Sequence, residues 1–376
     1  MGKIKIAHVL HSVGGVDIYL RLIIENIDNE RFDNIIIHGI NDTNQPFFDK
    51  NGEKTPSFKT TIIRNISIIK DLKAIIEVYR IVKKERPDII HVHSAKGGII
   101  GRIAGRILKI KVIYTPHAFS YLSAENKIKQ KLFLLIERFF SKGNVYILAT
   151  SISEKSRAID EVGFDLKHAF HVDNAINSIK TIPDLSLPIA IPKNYICTVG
   201  RPSYQKNIEL MIEVFSKINE SRKDIHLVVM GVGHHSDRLS NVKDLIRKKK
   251  LNDKVLLIDW TDRANILNII SNSILYISTA RYEGMPYSVI ESLALSKPCV
   301  VSNCDGNKDL IKDGFNGFII KNEEVQKYVE KTLYLLSDTS ILNQFSENAF
   351  SSFNKDYNIS KNIKKIENFY IEQSEK

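Results

Sequence analysis

The chain has 376 residues, 43% hydrophobic and 26% charged, which places it among ordinary globular proteins and exceeds what a single core usually holds, so two domains are expected. Its three cysteines, Cys197, Cys299 and Cys304, match no zinc or haem spacing and fit free thiols in a reducing, cytoplasmic setting. The formal net charge of +11 favours polyanionic company, whether nucleic acid, an anionic lipid surface or a phosphorylated small molecule, without choosing among them.

The opening MGKIKIAHVL shows no secretory core or cleavage site, and no stretch approaches bilayer-spanning length, so no membrane crossing is expected. Five strand candidates follow at residues 3–10, 34–40, 88–94, 111–117 and 145–151, apolar on both faces as buried parallel strands require. Longer amphipathic stretches separate them, the mark of a doubly wound α/β domain. The alternation restarts at 195–201, 226–231, 254–259, 273–280 and 298–303. Between the two sets, IPDLSLPIAIPKN at 182–194 carries Pro183, Pro188 and Pro192, which deny helix continuation and mark a linker. Domains are therefore expected over 1–185 and 193–356, with a final amphipathic helix over 357–376. Ligands of open α/β sheets bind beyond the carboxyl ends of the strands, so two Rossmann-like domains should face one central cleft.

The conspicuous polar clusters fall just after strand candidates. In RYEGMPYSVIE, residues 281–291, Glu283 and Gly284 occupy a turn and Pro286 suits the first position of a helix. The free amides and positive dipole end of that helix would hold a pyrophosphate. Glu291, five residues further on, lies roughly 7.5 Å along the axis and can grip the vicinal hydroxyls of a ribose. Glu283 can reach the group beyond the phosphates. GRPSYQKN at 200–207 adds Arg201 and Lys206, a fork and a point cation for the same diphosphate.

The spacing of two glutamates in EGMPYSVIE together with GRPSYQKN resembles the retaining, nucleotide-sugar-dependent glycosyltransferases of family 4, which have the two-domain GT-B fold. Also similar to that family are SVGGVDIYLRLI (12–23), HVHSAKGGIIGRIAGRIL (91–108), VIYTPHAF (112–119) and DGNKDLIKDGFNGFII (305–320). The resemblance implies that Arg201 and Lys206 bind the diphosphate, Glu291 the ribose and Glu283 a hydroxyl of the donor sugar. Amides around Gly284, Met285, Pro286 and Tyr287 would complete the donor site, Pro286 itself having no N–H. His117 would face the reacting sugar, and Gly14 and Gly15 would let the backbone approach the donor phosphate and acceptor. Catalysis thus falls on His117, Glu283, Arg201 and Lys206. The usual NG(I/V)D reads NAIN at 174–177, and Asp259 and Asp305 stand where glycines are common.

The implied activity is retaining transfer of a hexose or N-acetylhexosamine from a uridine diphosphate sugar to a glycan or lipid-linked acceptor in bacterial surface polysaccharide synthesis, such as capsule or O-antigen. No cofactor and no strict metal requirement are expected. His91 and His93 alternate on one strand, but no carboxylate or cysteine stands at ligand spacing beside them. A nucleotide-sugar 2-epimerase of the same fold and a non-enzymatic polyanion or membrane binder are the alternatives; the absence of G-x-G-x-x-G after the first strand argues against a Rossmann dehydrogenase. Nucleic acid is not an expected partner. Two basic amphipathic stretches, 95–111 with Lys96, Arg102, Arg106 and Lys109, and 126–142 with Lys127, Lys129 and Lys131, predict peripheral contact of the first domain with the inner face of an anionic membrane.

Overall fold

The computed structural model describes residues 2–63, 65–233, 236–321 and 324–375. These residues form two units, Met1–Asn177 with Ile359–Lys376 and Ser178–Asn358. The first contains a seven-stranded sheet of β1 (Ile4–Val9), β2 (Phe32–Gly39), β3 (Ser57–Thr60), β4 (Ile89–His93), β5 (Lys111–Thr115), β6 (Val145–Ala149) and β7 (Ala169–His171), ordered β3-β2-β1-β4-β5-β6-β7. Its recorded strand pairs are all parallel. The helices between them are α1 (Gly15–Asn26), α2 (Ile68–Glu85), α3 (Ser94–Leu108), α4 (Lys127–Phe140) and α5 (Ile152–Arg157).

Glycines pull α3 onto this sheet. A Cβ added at Gly101 would lie 2.3 Å from Cγ1 of Val92, and one at Gly105 would lie 2.3 Å from Cγ2 of Val112. The close approach carries Arg102 inward to 2% exposure. There its Nη2 donates to Glu137 Oε2 at 3.1 Å, its Nε donates to the Gly98 carbonyl at 2.9 Å, and its guanidinium lies 4.1 Å from the centre of the Tyr114 ring. Arg102 is therefore not part of a basic outer face. Lys96 is also engaged, donating to both carboxylate oxygens of Asp71 at 2.8 Å.

The second unit holds a six-stranded sheet of β8 (Tyr195–Val199), β9 (His226–Val232), β10 (Val255–Asp259), β11 (Tyr276–Ser278), β12 (Cys299–Ser302) and β13 (Gly317–Ile320), ordered β10-β9-β8-β11-β12-β13. Around it run α6 (Ile208–Ser221), α7 (Leu239–Lys248), α8 (Arg263–Asn272), α9 (Tyr287–Ala294), α10 (Asn307–Leu310), α11 (Val325–Ser337) and α12 (Thr339–Asp356). Each sheet lies against its own apolar core, one including Val9, Ile37, Val92 and Tyr114, the other Ile196, Phe215, Val229 and Val300.

The proline-bearing stretch read as a linker is held on the second unit: Asn268 Nδ2 donates to the Pro183 carbonyl at 2.7 Å, and the Ser186 amide to Asn265 Oδ1 at 2.8 Å. The final helix α13 (Ile359–Ser374) returns to the first unit. Its Glu367 accepts from the Asp28 amide at 3.0 Å and its Asn362 donates to the Asp173 carbonyl at 2.9 Å. No helix among the described residues is long and apolar enough to cross a membrane.

Candidate active site

In the second unit the loops after β8 and β11 are joined. Thr279 Oγ1 donates to the Asn207 carbonyl at 2.9 Å, the Arg281 amide donates to the Gln205 carbonyl at 2.8 Å, and Arg281 Nη1 donates to the Tyr204 carbonyl at 2.8 Å. This joint sets Lys206 Nζ 2.6 Å from Glu283 Oε1, so the two motif segments meet through two of the residues singled out in them. Gln205 Nε2 also donates to Glu283 Oε2, at 3.3 Å. The Lys206 stem lies over Gly200, where an added Cβ would come within 3.0 Å of Lys206 Cγ. Burial works against the charge on Lys206, but the Glu283 carboxylate, with smaller help from Tyr276 and Cys304, holds the ammonium above its ordinary pKa. The lysine is thus a fixed cation with 24% of its side chain exposed, beside a carboxylate with 8% exposed. Arg201, half-buried, lies two residues beyond the end of β8 in the same loop.

Helix α9 begins at Tyr287, with Pro286 as its N-cap in extended conformation at ψ 124°. The proline therefore precedes the first helical residue rather than occupying it, and Glu291 lies one turn inside. Glu291 is 4% exposed. Burial raises its carboxyl pKa, and Arg263 at the start of α8 partly offsets this, donating from Nε to Glu291 Oε1 at 2.7 Å. Arg263 is a site residue that sequence reading missed. Its only signal was the helix-start pattern TDRAN, in which Asp262 caps the Asn265 amide at 2.9 Å.

The turn at 305–307 closes over the same segment. Gly306 has φ 73°, and a Cβ there would lie 2.4 Å from the Gly284 carbonyl oxygen and 2.8 Å from Met285 Cα. Only glycine permits that approach. Asn307 Nδ2 donates to Ser302 Oγ at 3.1 Å, and Ser302 Oγ to the Ala280 carbonyl at 2.6 Å, which fixes the turn. Asp305, at a position where glycine is common, pairs with Lys308 at 3.1 Å. Gly284, Met285, Pro286 and Tyr287 are all buried between these elements.

The first unit carries the remaining candidates, Gly14, Gly15 and His117. Gly14 has φ 61° and caps α1, while Gly15 is its exposed first residue. A Cβ on Gly14 would meet nothing within 4 Å, so glycine is required there by the dihedral and not by crowding. His117 and Ala118 both sit at positive φ, 54° and 77°, an uncommon conformation for side-chain-bearing residues that surrounding contacts must hold. Buried Glu154 supplies one: its Oε1 accepts from the Ala118 amide at 2.7 Å, and its Oε2 from the Thr150 amide and hydroxyl at 2.7 and 3.0 Å. Glu154 was missed because S-x-x-E reads as a capping box, and Ser151 does cap the Glu154 amide at 3.1 Å.

Behind His117 the structure adds His8 to the His91 and His93 pair. The ring nitrogens of these three buried residues lie close enough to hold one ion, within 4.8 Å of one another. All six nitrogens nevertheless have protein partners. His91 bonds Tyr370 Oη at 2.6 Å and Thr115 Oγ1 at 2.8 Å; His8 bonds His93 at 3.2 Å and Asn34 at 3.1 Å; His93 Nδ1 bonds His117 Nε2 at 3.4 Å. Burial depresses every ring, His8 to about 4 and His117 to about 3, with His91 and His93 also well below the ordinary value.

Known proteins share both halves of this chain. Residues 13–178 match the family described as Glycosyltransferase Family 4, and residues 186–352 match Glycosyl transferases group 1. Over 98% of its length the chain is 32% identical to the UDP-Gal:alpha-D-GlcNAc-diphosphoundecaprenol alpha-1,3-galactosyltransferase of Escherichia coli, covering 97% of that protein. The chain belongs to the nucleotide-sugar glycosyltransferases of the GT-B fold. Among solved structures, sucrose-phosphate synthase from Thermosynechococcus elongatus matches this glycosyltransferase with a TM-score of 0.83 at 15% identity over 98% of both chains. Anabaena HepE in complex with UDP and glucose matches with 0.81 at 16% identity, covering 98% of this chain and 99% of its own. At such identities the likeness is one of fold.

Proposed function

We propose that this glycosyltransferase moves a hexose or N-acetylhexosamine, with retention of anomeric configuration, from a UDP-sugar to a lipid-linked or glycan acceptor in bacterial surface polysaccharide synthesis. The observation that carries the reading is the 2.6 Å contact of Lys206 with Glu283, with Glu291 one turn into the adjoining helix. An arriving diphosphate takes the Lys206 ammonium, with Arg201 as the second cation. Glu283 then accepts from a hydroxyl of the donor sugar, and Glu291, oriented by Arg263, grips the ribose. The cations stabilise the leaving diphosphate as the anomeric bond breaks, where such groups act most strongly. No enzymic nucleophile is assigned. His117 faces the reacting sugar, and Gly14 and Gly15 accommodate the donor phosphate and the acceptor.

The E. coli relative's name specifies UDP-Gal, an undecaprenyl diphosphate GlcNAc acceptor and an alpha-linked product, which makes UDP-galactose the first donor to test. Incubation with UDP-galactose, UDP-glucose and UDP-N-acetylglucosamine, in the presence of a GlcNAc-diphospho-lipid and EDTA, is expected to give one alpha-linked product identifiable by the anomeric coupling in proton NMR. A beta-linked product would overturn retention, and dependence on added metal would overturn the metal-free site.

We also infer that the enzyme works in the cytoplasm at an anionic membrane surface, reached through α4. Ile128, Leu132, Leu135 and Phe139 recur at helical spacing along α4 and are 77%, 52%, 58% and 65% exposed, with exposed Lys127, Lys129 and Lys131 beside them. Such a face inserts its apolar side between headgroups while lysines meet lipid charge. The protein should co-sediment with phosphatidylglycerol vesicles at low salt and be released by Leu135→Glu with Phe139→Glu; absence of wild-type binding at low salt removes the inference.

A further inference from the structure

A chain of hydrogen bonds runs from the interior of the first unit to the strained turn after β5. It begins at Asn34, a buried polar residue of β2 just ahead of its apolar run Ile35 to Ile37, whose Oδ1 faces His8 Nε2 at 3.1 Å. It continues from His8 Nδ1 to His93 Nε2 at 3.2 Å and from His93 Nδ1 to His117 Nε2 at 3.4 Å. An amide oxygen only accepts, so His8 must carry its proton on Nε2. A neutral imidazole has one N–H, which leaves His8 Nδ1 as acceptor and requires His93 to donate from Nε2. The same step repeats, and His117 donates from Nε2 to His93 Nδ1. Burial keeps all three rings neutral near pH 7, so the alternation cannot be broken by a second proton on one ring.

His91 stands outside the chain. Thr115 donates its hydroxyl proton to the Leu148 carbonyl at 2.7 Å, so His91 Nε2 must donate to Thr115 Oγ1 and the Tyr370 hydroxyl to His91 Nδ1. It therefore holds no alternative proton for His93. The ring of Tyr19 packs edge-on against His117 at 4.7 Å and restricts its rotation, while among the described residues His117 Nδ1 has no hydrogen-bond partner.

We propose that Asn34, acting through His8 and His93, is a positioning residue that holds His117 as the tautomer protonated on Nε2, so that Nδ1 presents a lone pair to a hydroxyl of the donor sugar. The statement rests on the reading that His117 faces that sugar. Reversing the chain would place a proton on Nδ1 and turn an acceptor into a donor at the same point, while leaving every heavy atom where it is.

Nitrogen-15 NMR of the full-length protein labelled at histidine tests this directly, with the His117 signals identified by their loss in His117→Gln. At pH 7.5 the wild type should show His117 Nε2 protonated and Nδ1 bare. Asn34→Gln retains a neutral amide acceptor and should preserve that pattern, whereas Asn34→Leu removes it and should give a mixture of tautomers, with kcat/KM for the donor about tenfold lower. A wild-type His117 protonated on Nδ1 overturns the proposal without any variant, as does Asn34→Leu with an unchanged His117 spectrum. A tautomer mixture in Asn34→Leu with undiminished transfer supports the relay and overturns the placement of His117 against the sugar, so the two failures are separable.

Discussion

Lowering the pH from 7.5 to 5.0 is expected to reduce the melting temperature of the first unit by more than about 10 °C. The cause is four histidines that fold neutral. An unfolded histidine takes a proton near pH 6.5, whereas His8 takes one only at about 4 and His117 only at about 3. Their stabilising contribution is complete above about pH 6.5 and is lost as the pH falls toward the folded values, because only the unfolded chain then binds protons. For a ring shifted like His8 the loss at pH 5 is about 2 kcal/mol. His91 and His93 are shifted the same way by burial and by one another. The losses of His8 and His117 together, about 4 kcal/mol, approach the lower end of the 5–15 kcal/mol typical of a whole domain, and those of His91 and His93 have the same sign. Among the described residues no lysine, arginine or carboxylate hydrogen-bonds any of these rings, whose polar neighbours include Asn34, Thr115, Tyr370 and Tyr19. Differential scanning calorimetry across this range checks the expectation, and an endotherm fixed within about 2 °C would show that the cluster is accessible to protons.

Both sheets were largely readable from the chain because central parallel strands are apolar on both faces and carry their own signal. The strands that escaped are short or peripheral: SFKT of β3 alternates polar residues at a sheet edge, AFH of β7 has three residues, and GFII of β13 follows directly on a turn motif. That the two motif segments lie near one another was readable because each follows a strand end in a recognisable pattern, whereas the direct ion pair of Lys206 with Glu283 left no signal in the spacing. Arg263 and Glu154 were not, since an ion pair to a residue 28 positions away and a carboxylate under a turn 36 positions away leave no local spacing to detect. The histidine chain was half visible. His91 and His93 share one face of β4, but His8 reaches them only because β1 and β4 are neighbours, with His8 directly opposite His91 in register. Arg102 shows the converse error, where a basic residue among apolar ones looked like a membrane face until the glycines of α3 drew it into the core.

That Lys206 grips the donor diphosphate is the claim on which the rest depends, and calorimetric titration of UDP into wild type and Lys206→Ala tests it without knowing the sugar or the acceptor. A charge-assisted hydrogen bond contributes about 1.5–3 kcal/mol, and each 1.4 kcal/mol is about a factor of ten. Removing the ammonium also leaves Glu283, with 8% of its side chain exposed, as a carboxylate lacking its cation beside the incoming phosphates, a further penalty. The Kd for UDP should therefore rise about a hundredfold in Lys206→Ala, with a fold shown intact by its circular dichroism. A variant that folds normally and binds UDP within about twofold of wild type would contradict the site.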